Sequence, residues 1–106
     1  MIILKIIWSE FAESQLKEIY EYYEREASPK VAKKLIRDII NEPKKLTKAP
    51  YIDQEEELLQ QRKIQYRYLI FKSYKLIYSV DEENKLIKMA DVFDTRQFPP
   101  KIKRTK

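Results

Sequence analysis

The sequence lacks three residue types completely: cysteine, histidine and glycine. Without cysteine the chain has no disulfide, no thiol nucleophile and no thiolate ligand for zinc. Without histidine it lacks the side chain that titrates near neutral pH, so Ser-His and Cys-His nucleophile pairs are excluded. Without glycine, the phosphate-binding loops of Walker or Rossmann type are excluded. We therefore expect no nucleotide cofactor, and any catalysis must use Lys, Arg, Tyr, Asp or Glu.

Long apolar runs are missing as well. The apolar residues 2–4 are followed at once by Lys5, and no small-residue cleavage site follows them. We therefore expect no secretory signal. No stretch approaches the roughly 20 apolar residues of a transmembrane helix. Together with the absence of cysteine, this predicts a cytoplasmic protein that has no membrane partner.

The chain has 106 residues, of which 43% are hydrophobic, and this predicts one domain with a modest packed core. Its net charge of +5 is unevenly distributed. Residues 1–61 carry ten Lys/Arg against twelve Asp/Glu, whereas residues 62–106 carry twelve against five. The basic second half favours a polyanionic partner, although ordinary solvation explains this asymmetry equally well.

The first half of the chain has the pattern of one strand and two helices. Residues 2–8 form a β-branched run that is typical of a strand. Ser9 follows as a helix N-cap, and Ser28 with Pro29 marks the start of a second amphipathic helix. The short link predicts an antiparallel helical hairpin. Pro43 should end or kink the second helix about two residues earlier, because proline lacks a backbone donor.

The second half has the pattern of three consecutive strands. Strand character appears at residues 64–71, 74–80 and 86–93, with short turns at 72–73 and 81–84. Such short links favour an antiparallel meander. The chain is therefore predicted to belong to the α+β class, with the element order β-α-α-β-β-β.

Several segments, in this order, resemble the RelE/ParE toxin superfamily. The first is Trp8-Ser9-Glu10-Phe11-Ala12, and the others are residues 16–23, 46–50, 66–69, 74–80 and 92–99. The resemblance implies that the N-terminal strand and the helical hairpin pack on a four-stranded antiparallel sheet. It assigns residues 1–98 to a single toxin domain and leaves 99–106 as a basic C-terminal tail.

The resemblance also implies a function and partners. Members of this superfamily are toxins of type II toxin–antitoxin modules, and a cognate antitoxin neutralises them. ParE-like members inhibit DNA gyrase, whereas RelE-like members cleave messenger RNA on the ribosome; promoter DNA is bound only through the antitoxin. The ParE-like interpretation is slightly favoured, because inhibition of gyrase needs no general base. The alternatives are a RelE-like endoribonuclease and an inactive homologue that acts as an interaction module, so whether the chain is an enzyme stays open.

Two arginines are the candidate catalytic residues of the RelE-like alternative. Arg67 lies where the superfamily often has an arginine, and its guanidinium would stabilise charge on a scissile phosphate. Arg96 follows the last strand, where RelE-like enzymes often have a basic residue. The competing interpretations are an antitoxin-binding cation for Arg67, and for Arg96 an ion pair with Asp94 or Asp91 that anchors the chain.

A wider set of residues is expected to bind the antitoxin or the target: Arg67, Tyr74, Lys75, Tyr78, Lys88 and Arg96. Alternation along the strands should send some of these tyrosines into the core, which is the commoner role. The basic tail at 101–106 is a further candidate for phosphate binding. The acidic run 55–57 has no imidazole beside it, and we predict no metal and no cofactor.

Overall fold

The structure of the chain is a computed structural model, and it describes residues 3–50, 54–55 and 64–96. Its elements follow the order predicted from the sequence, with one short strand in addition. They are β1 (Lys5–Trp8), α1 (Glu10–Glu26), α2 (Pro29–Asn41), a 3-10 helix (Glu42–Thr47), β2 (Gln54–Glu55), β3 (Arg67–Phe71), β4 (Tyr74–Asp81) and β5 (Leu86–Asp94). The α+β class is confirmed. The tail at 99–106, residues 56–57 of the acidic run and the side chain of Glu55 lie outside the description.

Serine caps begin both helices as predicted. The Ser9 hydroxyl accepts a hydrogen bond from the Ala12 backbone N–H at 3.0 Å, and the Ser28 hydroxyl accepts one from the Val31 N–H at 3.1 Å. Each cap satisfies one of the N–H groups that a helix start leaves without a partner. The helix α2 ends at Asn41 and Pro43 falls in the 3-10 helix that follows, so the predicted break is confirmed.

The sheet has the strand order β1-β5-β4-β3-β2. The meander β3-β4-β5 is antiparallel as predicted, and β2 pairs antiparallel to β3 over two residues. One pair differs from the prediction, because β1 runs parallel to β5, with Lys5 opposite Leu86 and Trp8 opposite Met89. The antiparallel description was therefore wrong for this one pair. The prediction omitted β2, whose pairing adds one more reversal of the chain between β1 and β5.

The main core lies between the helical hairpin and one face of the sheet. Its buried members from the helices and strands are Leu16, Leu35, Ile39, Leu46, Leu69, Tyr74, Leu76, Tyr78, Ile87, Met89 and Val92. Cross-strand partners share a face of the sheet, so the register Arg67↔Tyr78 and Leu69↔Leu76 places Arg67 on this same helix-facing side. A smaller cluster on the other face contains Tyr66, Ile77, Ala90 and Phe93.

Candidate functional site

The two candidate arginines lie at opposite ends of β4. Arg67 is opposite Tyr78 near the end of β4, whereas Tyr74 at its start is opposite Asp94, two residues before Arg96. Four residues of strand separate these positions, which corresponds to about 13 Å at ~3.3 Å per residue. The fold therefore does not bring Arg67 and Arg96 into one site.

Arg67 lies in a groove at the end of the sheet near the β4–β5 turn. The groove has a volume of about 570 Å³ and is lined by Ile64, Gln65, Arg67, Ser79, Val80, Asp81, Glu82, Glu83 and Lys88. The lining holds two cations and three carboxylates. One of the cations, Lys88, is already paired, with its Nζ 3.0 Å from Oδ2 of Asp81. The predicted residues Arg67 and Lys88 thus share a groove whose lining has a net negative formal charge. We call it the Arg67 groove.

Asp81 is a carboxylate of the Arg67 groove with several hydrogen-bond partners. It accepts hydrogen bonds from both the backbone N–H and the side-chain amide of Asn84, each at 3.0 Å. The Asn84 bonds, together with the ion pair to Lys88, lower the pKa of Asp81 to about 2. Such a group is ionised near neutral pH and is a weak base, since efficient general bases have pKa values near the working pH.

Arg96 lies at the other end of β4, beside a cleft between α1 and the sheet. The cleft has a volume of about 410 Å³ and is lined by Gln15, Glu18, Ile19, Tyr22, Tyr23, Tyr74, Val92, Asp94 and Arg96. We call it the tyrosine cleft, because three of its nine lining residues are tyrosines. The sequence patterns did not single out Tyr22 and Tyr23 as site residues. Their adjacency at the end of α1 was the available signal.

The Arg96 guanidinium is held by Asp94 in a two-pronged ion pair. Its Nε lies 2.9 Å from Oδ1 and one terminal nitrogen lies 2.8 Å from Oδ2, while the Arg96 backbone N–H also donates to Oδ1 at 2.9 Å. These bonds lower the pKa of Asp94 and, with a smaller contribution from Tyr23, raise the pKa of Arg96. The arrangement is the anchoring pair that was one of the two interpretations of Arg96.

The two tyrosines among the predicted binding residues, Tyr74 and Tyr78, are both buried, at 3% and 0% exposure. The Tyr78 hydroxyl donates to the Pro50 carbonyl oxygen at 2.9 Å. Burial, and then a hydrogen bond with Tyr23, raise the pKa of Tyr74. In this structure both rings are members of the main core and neither is presented to a partner.

Lys75 follows Tyr74 at the start of β4, but its side chain lies on the other face of the sheet. It is opposite Ile70 and Phe93 in the sheet, and its Nζ lies 4.4 Å from the centre of the Tyr68 ring. This distance is typical of a cation–π contact. The six predicted binding residues are therefore distributed over the Arg67 groove, the tyrosine cleft, the core and the middle of the sheet.

Within the described ranges 3–50, 54–55 and 64–96, no group of three carboxylates is placed to hold a metal ion. Over the same ranges, none of the helices has both the length and the apolar character that a transmembrane segment requires.

Comparisons with known proteins agree with this architecture. The sequence model of the family described as the ParE toxin of type II toxin–antitoxin systems, parDE, matches residues 6–98. The chain belongs to this family of toxins, within the RelE/ParE superfamily. No curated protein matches the chain.

Two solved structures share the fold at low sequence identity. The chromosomal ParDE toxin–antitoxin system from P. aeruginosa superposes with a TM-score of 0.71 at 19% identity, covering 87% of this chain and 96% of that one. A chain of the RelBE2 toxin–antitoxin complex from Mycobacterium tuberculosis has a TM-score of 0.64 at 12% identity, covering 89% of this chain and 93% of that one. At these identities the likeness concerns the fold.

Proposed function

We propose that the protein is the toxin of a type II toxin–antitoxin module, which inhibits growth until a cognate antitoxin neutralises it. Membership of the ParE toxin family supports this proposal. Both similar structures are of a toxin–antitoxin system or complex, which supports an antitoxin as the partner.

For the target we favour DNA gyrase, as in ParE-like toxins, over messenger RNA. The observation that carries this choice is the separation of Arg67 from Arg96, whose positions along β4 differ by four residues of strand. Cations that converge on one phosphate would stabilise the charge that develops during cleavage of a phosphodiester. Each of these arginines instead lies in a separate depression of the surface.

The charges of the Arg67 groove also favour DNA gyrase over messenger RNA as the target. Its three carboxylates, Asp81, Glu82 and Glu83, would repel an RNA backbone and outnumber the two cations beside them. The low pKa of Asp81 also makes it a poor acceptor for a hydroxyl proton. A toxin that acts by binding a protein target needs neither a general base nor converging cations.

The test is expression of the chain in growing cells without an antitoxin. The wild-type chain is compared with the variants Arg67→Ala, Arg96→Ala and Lys17→Ala. Messenger RNA integrity is followed by primer extension, and DNA breaks and plasmid supercoiling are followed in parallel. We expect DNA breaks with intact messages. Arg67→Ala should reduce growth inhibition, whereas Lys17→Ala, an exposed cation on α1, is the matched control.

Two outcomes would contradict the proposal in different ways. Rapid cleavage within translated codons, abolished by Arg67→Ala or Arg96→Ala, would replace gyrase by messenger RNA as the target. Normal growth in the absence of any antitoxin would remove the toxic activity altogether and leave an inactive homologue.

The antitoxin is proposed to be an acidic segment that binds the cations on and beside the sheet. We expect joint neutralisation of Arg67, Lys75, Lys88 and Arg96 to weaken the complex and reduce its salt dependence. A control variant that neutralises four exposed cations of the helical segments, Lys17, Arg25, Lys44 and Lys48, removes the same charge from other surfaces. Equal loss of affinity in the two variants would contradict an antitoxin-binding site located on the sheet.

A further inference from the structure

The two helices of the hairpin carry opposite charge. Within α1, residues 10–26 include six glutamates against two cations, and all eight side chains are exposed. Residues 29–47, which form α2 and the 3-10 helix, include six Lys/Arg against two acidic residues. The net charge of the first half of the chain is close to zero, because the charges of these two regions nearly cancel. The basic second half is therefore not the only positive region.

Four cations of α2 form a stripe on its outer side: Lys30, Lys33, Lys34 and Arg37. At 100° per residue their side chains fall within about 100° of arc, and they extend over about 10 Å of helix axis. The buried side chains Ala32, Leu35 and Ile39 occupy the opposite side of the helix. The core therefore orients the α2 stripe directly away from the protein.

Most of the stripe has no counter-ion among the residues that the structure describes. Lys34 pairs with Asp38 at 2.9 Å, but Lys30, Lys33 and Arg37 form no ion pair with any described residue. Arg37 and also Lys72, from the β3–β4 turn, help Lys34 to lower the pKa of Asp38, so both lie close to that carboxylate. The positive surface thus extends from α2 to the neighbouring turn.

The composition of this surface distinguishes between classes of partner. Protein interfaces are depleted in lysine and take their energy from buried aromatic and apolar anchors. Single-stranded nucleic acid is bound on aromatic side chains that stack with bases, and α2 contains no aromatic residue. Closely spaced lysines and an arginine on a rigid helix instead match the phosphates of a duplex, which carries one charge per ~1.7 Å of axis.

We propose that the α2 stripe binds the sugar–phosphate backbone of duplex DNA without reading its sequence. Lys30, Lys33, Lys34 and Arg37 make the phosphate contacts. DNA is favoured over duplex RNA because its wide major groove admits a helix, whereas the A-form major groove is too narrow and deep. The proposal goes beyond toxin activity and requires no antitoxin.

The test uses the purified full chain and a fluorescein-labelled 20-base-pair duplex of arbitrary sequence, followed by anisotropy over a range of salt concentrations. Four phosphate contacts predict a slope of log K against log salt of about −3.6. The affinity should therefore fall on the order of 100-fold between 50 and 200 mM salt.

Three matched variants locate the contacts. Replacement of Lys30, Lys33 and Arg37 by Gln should weaken binding by about 10-fold or more and reduce the slope by about 2.7. Replacement of Lys5, Lys17 and Arg25 by Gln removes the same charge elsewhere and should leave the slope unchanged. Replacement of Lys101, Lys103 and Lys106 by Gln tests the basic tail as the competing site. Gln has a helix propensity close to that of Lys and Arg, and thermal melts confirm folding.

Four results would overturn the proposal. They are an equal reduction of the slope in the stripe and control variants, loss of the slope only in the tail variant, no binding of the wild-type chain at 50 mM salt, and equal or tighter binding to duplex RNA. Each of them leaves the toxin proposal intact, since growth inhibition is measured separately.

Discussion

The two ends of β4 contain similar residues in different surroundings. Each end has a buried tyrosine on the helix-facing side and an arginine in a depression that also contains carboxylates. Each end also has a turn in which a lysine has a positive φ. At the Arg67 end, Tyr78 is fully buried and its hydroxyl meets a backbone carbonyl. At the Arg96 end, Tyr74 borders an open cleft and meets another tyrosine. The two tyrosines therefore have different surroundings, because Tyr78 bonds to the backbone whereas Tyr74 contacts another side chain at a cleft.

The largest expected difference between the two ends concerns the loss of a tyrosine ring. Tyr78→Ala should lower the free energy of unfolding by about 3–5 kcal/mol, because a cavity remains in a closed part of the core. Tyr74→Ala should cost less, since the tyrosine cleft lets water fill the space. Urea denaturation of both variants measures this. An equal or larger loss at Tyr74 would contradict the assignment of Tyr78 to the closed end.

The helix limits and the turns were predictable because their signals are local. Ser9, Ser28 and Pro29 determine where the helices begin, and Pro43 determines where α2 ends. Such capping and proline effects act within a few residues of the chain. They can be read from sequence without knowing the tertiary structure.

The parallel pairing of β1 with β5 and the division of the candidate residues were not predictable in this way. Pairing of strands about 80 residues apart depends on the whole chain path, including the short β2. Tyr74 and Tyr78 were correctly recognised as neighbours in a strand. Their common inward orientation, however, follows from the side of the sheet that the helices cover.

A smaller difference is expected when only the hydroxyl groups are removed. Tyr78→Phe leaves the Pro50 carbonyl without its donor and should cost about 1–2 kcal/mol. Tyr74→Phe should cost less than about 1 kcal/mol, because the Tyr23 hydroxyl can bond to water in the cleft. The same denaturation experiment distinguishes them. A neutral Tyr78→Phe together with a costly Tyr74→Phe would reverse the comparison.

The turns at the two ends of β4 should respond differently to glycine. Lys72 and Lys85 have φ values of 55° and 56°, a region that favours glycine, and the chain contains none. Lys85→Gly should stabilise the fold by about 0.5 kcal/mol. Lys72→Gly should gain less, because Lys72 Nζ lies 5.6 Å from the Phe71 ring centre and this contact is lost.

The control for the turns is Lys48→Gly, at a residue whose φ is −106°. It should give no gain, since negative φ values are open to every residue. Thermal melts of the three glycine variants provide the comparison. Equal stabilisation by all three would show that positive φ is not the cause.

The smallest expected effect is on acid stability, because the carboxylates concerned take part in ion pairs at the surface, where water screens the charges. The pKa of Asp81 in the folded chain is lowered from 3.8 to about 2, and that of Asp94 is lowered less. A lowered folded-state pKa gives stability that is present above the unfolded value and is lost as the pH falls through the folded value. Asp81→Asn should therefore flatten the fall in Tm between about pH 4 and pH 2, and it should do so more than Asp94→Asn. Glu21→Gln on α1 removes the same charge as a control, and a larger flattening by Asp94→Asn would place the stronger carboxylate stabilisation at the Arg96 end.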